Sequence, residues 1–241
     1  MQVLPAFADL TTQRSVRWRP GLGGACHSEV FACAREASGA GAALALALDD
    51  CHSAQAAKTG AEDRCAMLWV QTRDAARLTG RPYRPGLPAA LRHRVIHVLA
   101  DKPEDALFAL EEGVRCREVA FVLGEIAGNP RALDFTASRR LTLAAERYGV
   151  PLYLVRLDAE RDLSSARMRW QVRAASSAPS EWNPQAPGAP AWHAELFRSR
   201  AHAPGEWVLS GEEKLVANRP CKPFETPRTE HSSRRAFSAL S

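Results

Sequence analysis

Short apolar runs of strand length recur along the chain, separated by stretches with a helical period. AMLWVQ (66–71), HRVIHVLAD (93–101), EVAFVLGEI (118–126) and VPLYLVRL (150–157) are near-continuous apolar runs, the pattern of strands buried on both faces. CHSEVFAC (26–33) adds an earlier strand with β-branched and aromatic residues. Between the runs the period changes. TRDAARLTG reads as a helix capped by Thr72 and stopped at Gly80. KPEDALFALEEGVRC reads as a helix with Pro103 in its first turn, Leu107, Leu110 and Val114 as its apolar stripe, and Glu111 and Glu112 toward water. TASRRLTLAAERYG reads as a helix capped by Asp134 or Thr136, packed through Leu141, Leu143, Ala144 and Ala145 and stopped by Gly149.

Strands alternating with helices at this spacing imply βαβ crossovers and a largely parallel sheet. Beyond Asp158 the pattern becomes alternating. ARMRWQVRAA, AWHAELFRSR and GEWVLSG read as antiparallel or edge strands, with a Pro/Ser-rich loop, SSAPSEWNPQAPGAP, between the first two. The expected organisation is an approach segment over 1–20, one α/β domain over 21–210 with an antiparallel C-terminal extension, and a disordered tail over 211–241, which has few core-forming residues.

The stretch REASGAGAALALALDD (35–50) raises the question of chemistry. Its alternation suggests a strand, but Ala and Leu are strong helix formers and Leu44 and Leu48 share a face, so a helix is expected from near Gly39 or Gly41. The order strand, small-residue loop, helix is that of a phosphate loop, in which backbone amides cradle the phosphates, a lysine neutralises them and a hydroxyl holds magnesium. Aligned with Gly41 as the second glycine, the pattern places Glu36 at the first glycine, Ala42 at the lysine and Ala43 at the hydroxyl. Every group that handles charge is missing, and Glu36 would repel a triphosphate. The stretch is therefore expected to serve helix packing, with no cofactor, and no catalytic residue is assigned.

Composition narrows the classes. With 241 residues, 46% hydrophobic and 24% charged, the chain suits one sizeable core with appendages. Mean hydropathy is −0.28 and no apolar run approaches a membrane span. No basic region followed by an apolar stretch and cleavage site opens the chain, so a cytoplasmic location is expected. The six cysteines form no CxxC pair, and Cys51-His52 beside Asp49 and Asp50 lacks a second ligand pair, so no metal is expected. A net charge of +5 permits a nucleic-acid partner without establishing one.

Other residues carry weaker signals. Glu125 lies at the end of a core strand, one or two positions later than the aspartate that orients magnesium in a nucleotide hydrolase, and is expected to be a surface loop residue. Arg139 and Arg140 are adjacent on an otherwise apolar helix, so at least one reaches outward, to solvent or to a partner. His93 and His97, beside Arg92 and Arg94, lack a nucleophile pattern. Trp18 lies between Arg17 and Arg19, and Trp170, Trp182, Trp192 and Trp207 follow; such rings lock small cores, bind proteins or stack on bases. Trp192 and Trp207, with Arg139 and Arg140, are the expected partner-contact residues.

EVFA, AALALAL, MLWVQ, YRPGL, VIHVLADKPEDALFALEEGVRC, VAFVLGEI, LDFTASRRLTLAAERYGVPLYLVR and GEWVL, in this order and spacing, resemble the ImuA family, the RecA-like accessory proteins of the bacterial ImuA–ImuB translesion mutasome. The likeness covers roughly residues 21 to 211. It implies a RecA-like, P-loop NTPase-type core, induction by DNA damage in the SOS response, and work beside ImuB and an error-prone C-family DNA polymerase. It also implies RecA and DNA as further candidate partners and a kinship with the cell-division inhibitor SulA. Ala42 and Ala43 depart from RecA's phosphate loop, so the resemblance implies an adaptor rather than an ATPase. The alternatives are an NTPase with an atypical loop, in which Lys58 or Arg35 substitutes for the missing lysine, and a SulA-like division inhibitor.

Overall fold

The computed structural model describes residues 17–22, 26–36, 38–57, 66–180, 182–183, 185–211 and 215–218. Among these residues nine strands form one sheet in the order β3-β2-β4-β5-β1-β6-β7-β8-β9. They are β1 (His27–Ala32), β2 (Ala66–Thr72), β3 (Val95–Ala100), β4 (Val119–Ala127), β5 (Leu152–Leu157), β6 (Met168–Ala174), β7 (Ala191–Ser199), β8 (Gly205–Ser210) and β9 (Val216–Asn218). Every pairing from β3 to β6 is parallel, and β6 through β9 pair antiparallel. The apolar runs of β4 and β5, and the half-polar β1, are buried almost throughout, as a parallel sheet covered on both faces requires.

The described residues hold the four α-helices α1 (Ser38–Ala57), α2 (Arg73–Thr79), α3 (Pro103–Arg115) and α4 (Phe135–Tyr148). The α2 cap is Thr72, whose hydroxyl accepts from Ala75 N, and its stop is Gly80. Of the two candidate caps for α4, Asp134 takes the role, accepting from Ala137 N at 2.7 Å, and Gly149 ends the helix in the left-handed conformation at φ 64°. One core joins α1 to the sheet with Leu87, Leu91 and the tryptophans of the extension; the other joins α3 and α4 to the opposite face.

The structure corrects several expectations. Leu143, assigned to the packing face of α4, is half exposed, because the interface is carried by Ala137, Leu141, Ala144 and Ala145. Glu111 does not face water. Its carboxylate, 12% exposed, sits between α3 and α4 and pairs with Arg140 at 2.6 Å and Arg115 at 2.6 Å. The extension does not end near residue 211, since Leu215 is buried and β9 continues the sheet by pairing with β8. Trp18 belongs to no separate approach segment. It packs edge-on against Trp170 at 4.8 Å and Trp207 at 5.3 Å, closing the core under the antiparallel strands. The remainder of the expected tail, 219–241, lies outside the described residues.

Candidate functional site

Open α/β sheets bind ligands outside the carboxyl ends of their strands, at the point where neighbouring crossovers leave in opposite directions. Two neighbouring pairs meet that description: β2 with β4, where β2 leads outward to β3 and β4 the other way to β5, and β1 with β5, where β1 leads across β5 and β4 to β2 while β5 leads across β1 to β6. The loop after β1 reaches the second of these points as a 3-10 turn, Ala34–Glu36, before α1.

Two of the chain's own carboxylates meet this loop. Asp158, following β5, accepts from Ala34 N at 3.0 Å, and its own amide donates to Ala32 O at 3.0 Å. It holds a left-handed backbone at φ 49°, a conformation an aspartate tolerates better than most residues. Glu36 turns away from the loop and accepts from Ala174 N at the end of β6 at 2.8 Å. One loop amide therefore carries a carboxylate at the switch point, and the second acid ties the loop to the extension.

The small residues serve contact between helix and sheet. A side chain at Gly39 would begin 2.7 Å from Val155 Cγ1 and 2.8 Å from Ala32 Cβ, so only glycine lets α1 approach β1 and β5 this closely. Gly41 lies under the Trp192 ring, where a side chain would begin 3.2 Å from the ring edge. Ala42 and Ala43, the lysine and hydroxyl positions, are both fully buried, facing the core rather than the loop mouth. Arg35 is exposed, and Lys58 lies outside the described residues.

Glu125 is the largest departure from expectation. It is a buried strand residue, not a surface loop residue, because three donors satisfy it: Trp69 Nε1 at 2.6 Å, Gln71 Nε2 at 2.9 Å and Thr79 Oγ1 at 3.1 Å. Burial raises its pKa against the opposing pull of these bonds. Gln71 Oε1 accepts in turn from His97 Nε2 at 2.9 Å, which places the His97 proton on Nε2. Burial first, and then Arg81 and Arg84, lower the His97 pKa and favour the neutral ring. Sequence reasoning missed this chain from Glu125 to His97, although Trp69, Gln71 and His97 lie in register on β2 and β3.

A second polar cluster lies on the α4 face of β1, β5 and β6. Glu29 pairs with Arg169 at 2.7 Å and Arg156 at 3.7 Å, and accepts from Ser164 Oγ at 2.8 Å. Asp162 adds a second carboxylate, 3.4 Å from Arg156, and accepts from Asn129 Nδ2 at 2.8 Å. These bonds fasten residues 158–167 over the sheet. Desolvated arginines of this kind are expensive unless paired, so the cluster fixes the strap's position more than it adds net stability.

The expected contact residues fall into two groups. Arg139 is exposed, whereas Arg140 is tied to Glu111 across the α3–α4 interface. Trp192 and Trp207, 7% and 5% exposed, turn their rings into the core; of the tryptophans, only Trp182, 95% exposed, stands in solvent. Of the three roles open to these rings, Trp170, Trp192 and Trp207 take the core one, the alternation of β6 to β8 pointing them to the α1 face, where Trp18 joins them. Beside Trp192 opens a cleft of about 400 Å³, walled by Gly41, Leu44, Leu48, Leu87 and Arg92.

The suggested metal grouping is divided among other partners. Asp49 Oδ2 accepts from Gly21 N at 2.8 Å, and Asp50 accepts from the Tyr153 hydroxyl. Among the described residues no three His, Cys, Asp or Glu side chains group as metal ligands, and no helix is long and apolar enough to cross a membrane. No family model matches the chain, and no curated protein matches it.

Proposed function

We propose that this chain is a non-catalytic accessory protein of DNA-damage-induced translesion synthesis, a RecA-like domain of ImuA type. On this reading it acts in the cytoplasm with ImuB and an error-prone C-family DNA polymerase. The sequence resemblance supplies the pathway. The observation that supports the non-catalytic part is the loop after β1: Ala42 and Ala43 buried, Asp158 on the Ala34 amide, and Glu36 bonded to Ala174 N. The strand order around a central β1, followed by a loop and a packed helix, suits a RecA-like core retained for its surfaces.

An NTPase reading asks for a positive group and a hydroxyl at the loop mouth, and Ala42 and Ala43 offer neither. The test is damage-induced mutation frequency in a deletion strain. Loss of induced mutations, restored by the wild-type gene, supports the reading, and Arg139→Ala is expected to weaken capture of ImuB without unfolding the chain. Normal induced mutagenesis in the deletion strain contradicts it. Division arrest on overexpression, with mutagenesis unchanged, points instead to a SulA-like inhibitor.

A further inference from the structure

A run of basic residues without an acidic one leads from α2 into β3. Residues 75–100 contain Arg77, Arg81, Arg84, Arg92 and Arg94, two histidines, and no aspartate or glutamate. Arg77 is paired with Asp74 at 3.2 Å, while Arg81, Arg84, Arg92 and Arg94 are exposed along the segment that leads into the edge strand β3.

The segment is pre-shaped rather than loose. Arg84 Nη2 donates to Val95 O at 3.3 Å and Arg92 Nε to Leu87 O at 2.9 Å, each spending one of five guanidinium donors and leaving the rest to solvent. Arg81 and Arg84 both lie near enough to His97 to lower its pKa, and the Arg84 bond to Val95 O sets its side chain against the β3 edge. Tyr83, between them, is 73% exposed. Its Cδ1 lies 3.1 Å from where a side chain at Gly86 would begin, so the ring rests on the turn Arg84–Gly86 and shows its remaining surface to solvent. Farther along, Gly86 to Ala89 and Arg92 wall the cleft beside Trp192.

We infer that residues 81–94 are a binding surface for single-stranded nucleic acid, with the arginines on phosphates and Tyr83 stacking on an unpaired base. An acid-free row of arginines interrupted by a fixed, exposed aromatic ring matches what strands with accessible base faces require. An acidic peptide adding to the β3 edge fits less well. Met67 N takes Arg94 O, so Val95 O faces the open edge, and Arg84 already occupies it. The inference rests on charge and geometry and goes beyond the accessory reading, since it is measured on purified protein rather than in cells.

The test is fluorescence anisotropy of the full chain with a labelled 20-mer of oligodeoxythymidine, beside oligouridine of equal length, at 50 and 200 mM salt. Saturable, salt-dependent binding to either strand is expected. Arg81→Ala with Arg84→Ala should weaken it at least tenfold and lower the log–log salt slope by about 1.4, from about 0.7 per phosphate contact. Tyr83→Ala should weaken it roughly tenfold with the slope unchanged. Arg234→Ala with Arg235→Ala should leave it intact. The inference is overturned by absence of binding to both strands, by loss that follows Arg234 and Arg235 instead, or by a silent Tyr83→Ala. It is equally overturned if a polyglutamate peptide binds as tightly with the same sensitivities, which would identify an acidic protein as the partner. Melting curves of each variant separate lost contacts from lost folding.

Discussion

Replacing Asp50 by asparagine should stabilise the protein at alkaline pH and leave it unchanged near pH 4. Asp50, on α1, accepts the Tyr153 hydroxyl from β5. Burial raises its pKa to about 7, against the Tyr153 bond that lowers it, with a further rise from Asp49. An unfolded aspartate titrates at about 3.9. The folded state thus binds this proton more tightly, so stability falls as pH rises from about 4 to about 7 and is level above that. Three pH units at about 1.36 kcal/mol each give roughly 4 kcal/mol, and partial solvent contact reduces this to about 2 kcal/mol. The substituted amide keeps an oxygen to accept the Tyr153 proton and carries no charge. Urea unfolding followed by circular dichroism between pH 4 and 8 should show Asp50→Asn ahead by about 2 kcal/mol at pH 8 and level at pH 4. A variant weaker at pH 8, or shifted equally at both ends, refutes the reasoning.

Other outcomes follow from the same physics. His27 donates from Nδ1 to Thr142 Oγ1 at 2.8 Å, and burial is the first cause of its pKa lying at about 4. Because the folded value is depressed, its contribution is complete above about pH 6.5 and is lost as pH falls toward 4, by roughly 3 kcal/mol; His27→Phe should flatten that slope in the same titration. Glu125→Leu strands the donors of Trp69, Gln71 and Thr79 and should cost about 3 kcal/mol or more by urea unfolding, with Glu125→Gln costing less. Gly39→Val drives side-chain atoms into Val155 and Ala32 and should cost about 3 kcal/mol in thermal melts.

The alternation of apolar runs with helical periods made the parallel half of the sheet and α1 to α4 legible, because each element carries its own local signal. Thr72, Gly80, Asp134 and Gly149 were readable as ends because capping is local chemistry. The misses are long-range. Trp18 meets Trp170 and Trp207 across more than 150 residues, and no local period reports that. Glu111 reads as a solvated acid until α4 brings Arg140 beside it. Glu125 reads as a loop residue because the donors that satisfy it lie 46 to 56 residues away. β9 has three residues, too few for a pattern. At the loop after β1, the absent lysine and hydroxyl were legible, whereas the Asp158 bond to Ala34 N emerges only from the register of β1 with β5.

On the function proposed, the loop after β1 holds the fold together and does not hold nucleotide. Isothermal titration of the full chain with magnesium and ATP, with and without a single-stranded oligonucleotide, tests it most directly. No heat beyond dilution is expected in either condition. Saturable binding that is lost on substitution of Glu36 or Lys58 would contradict it.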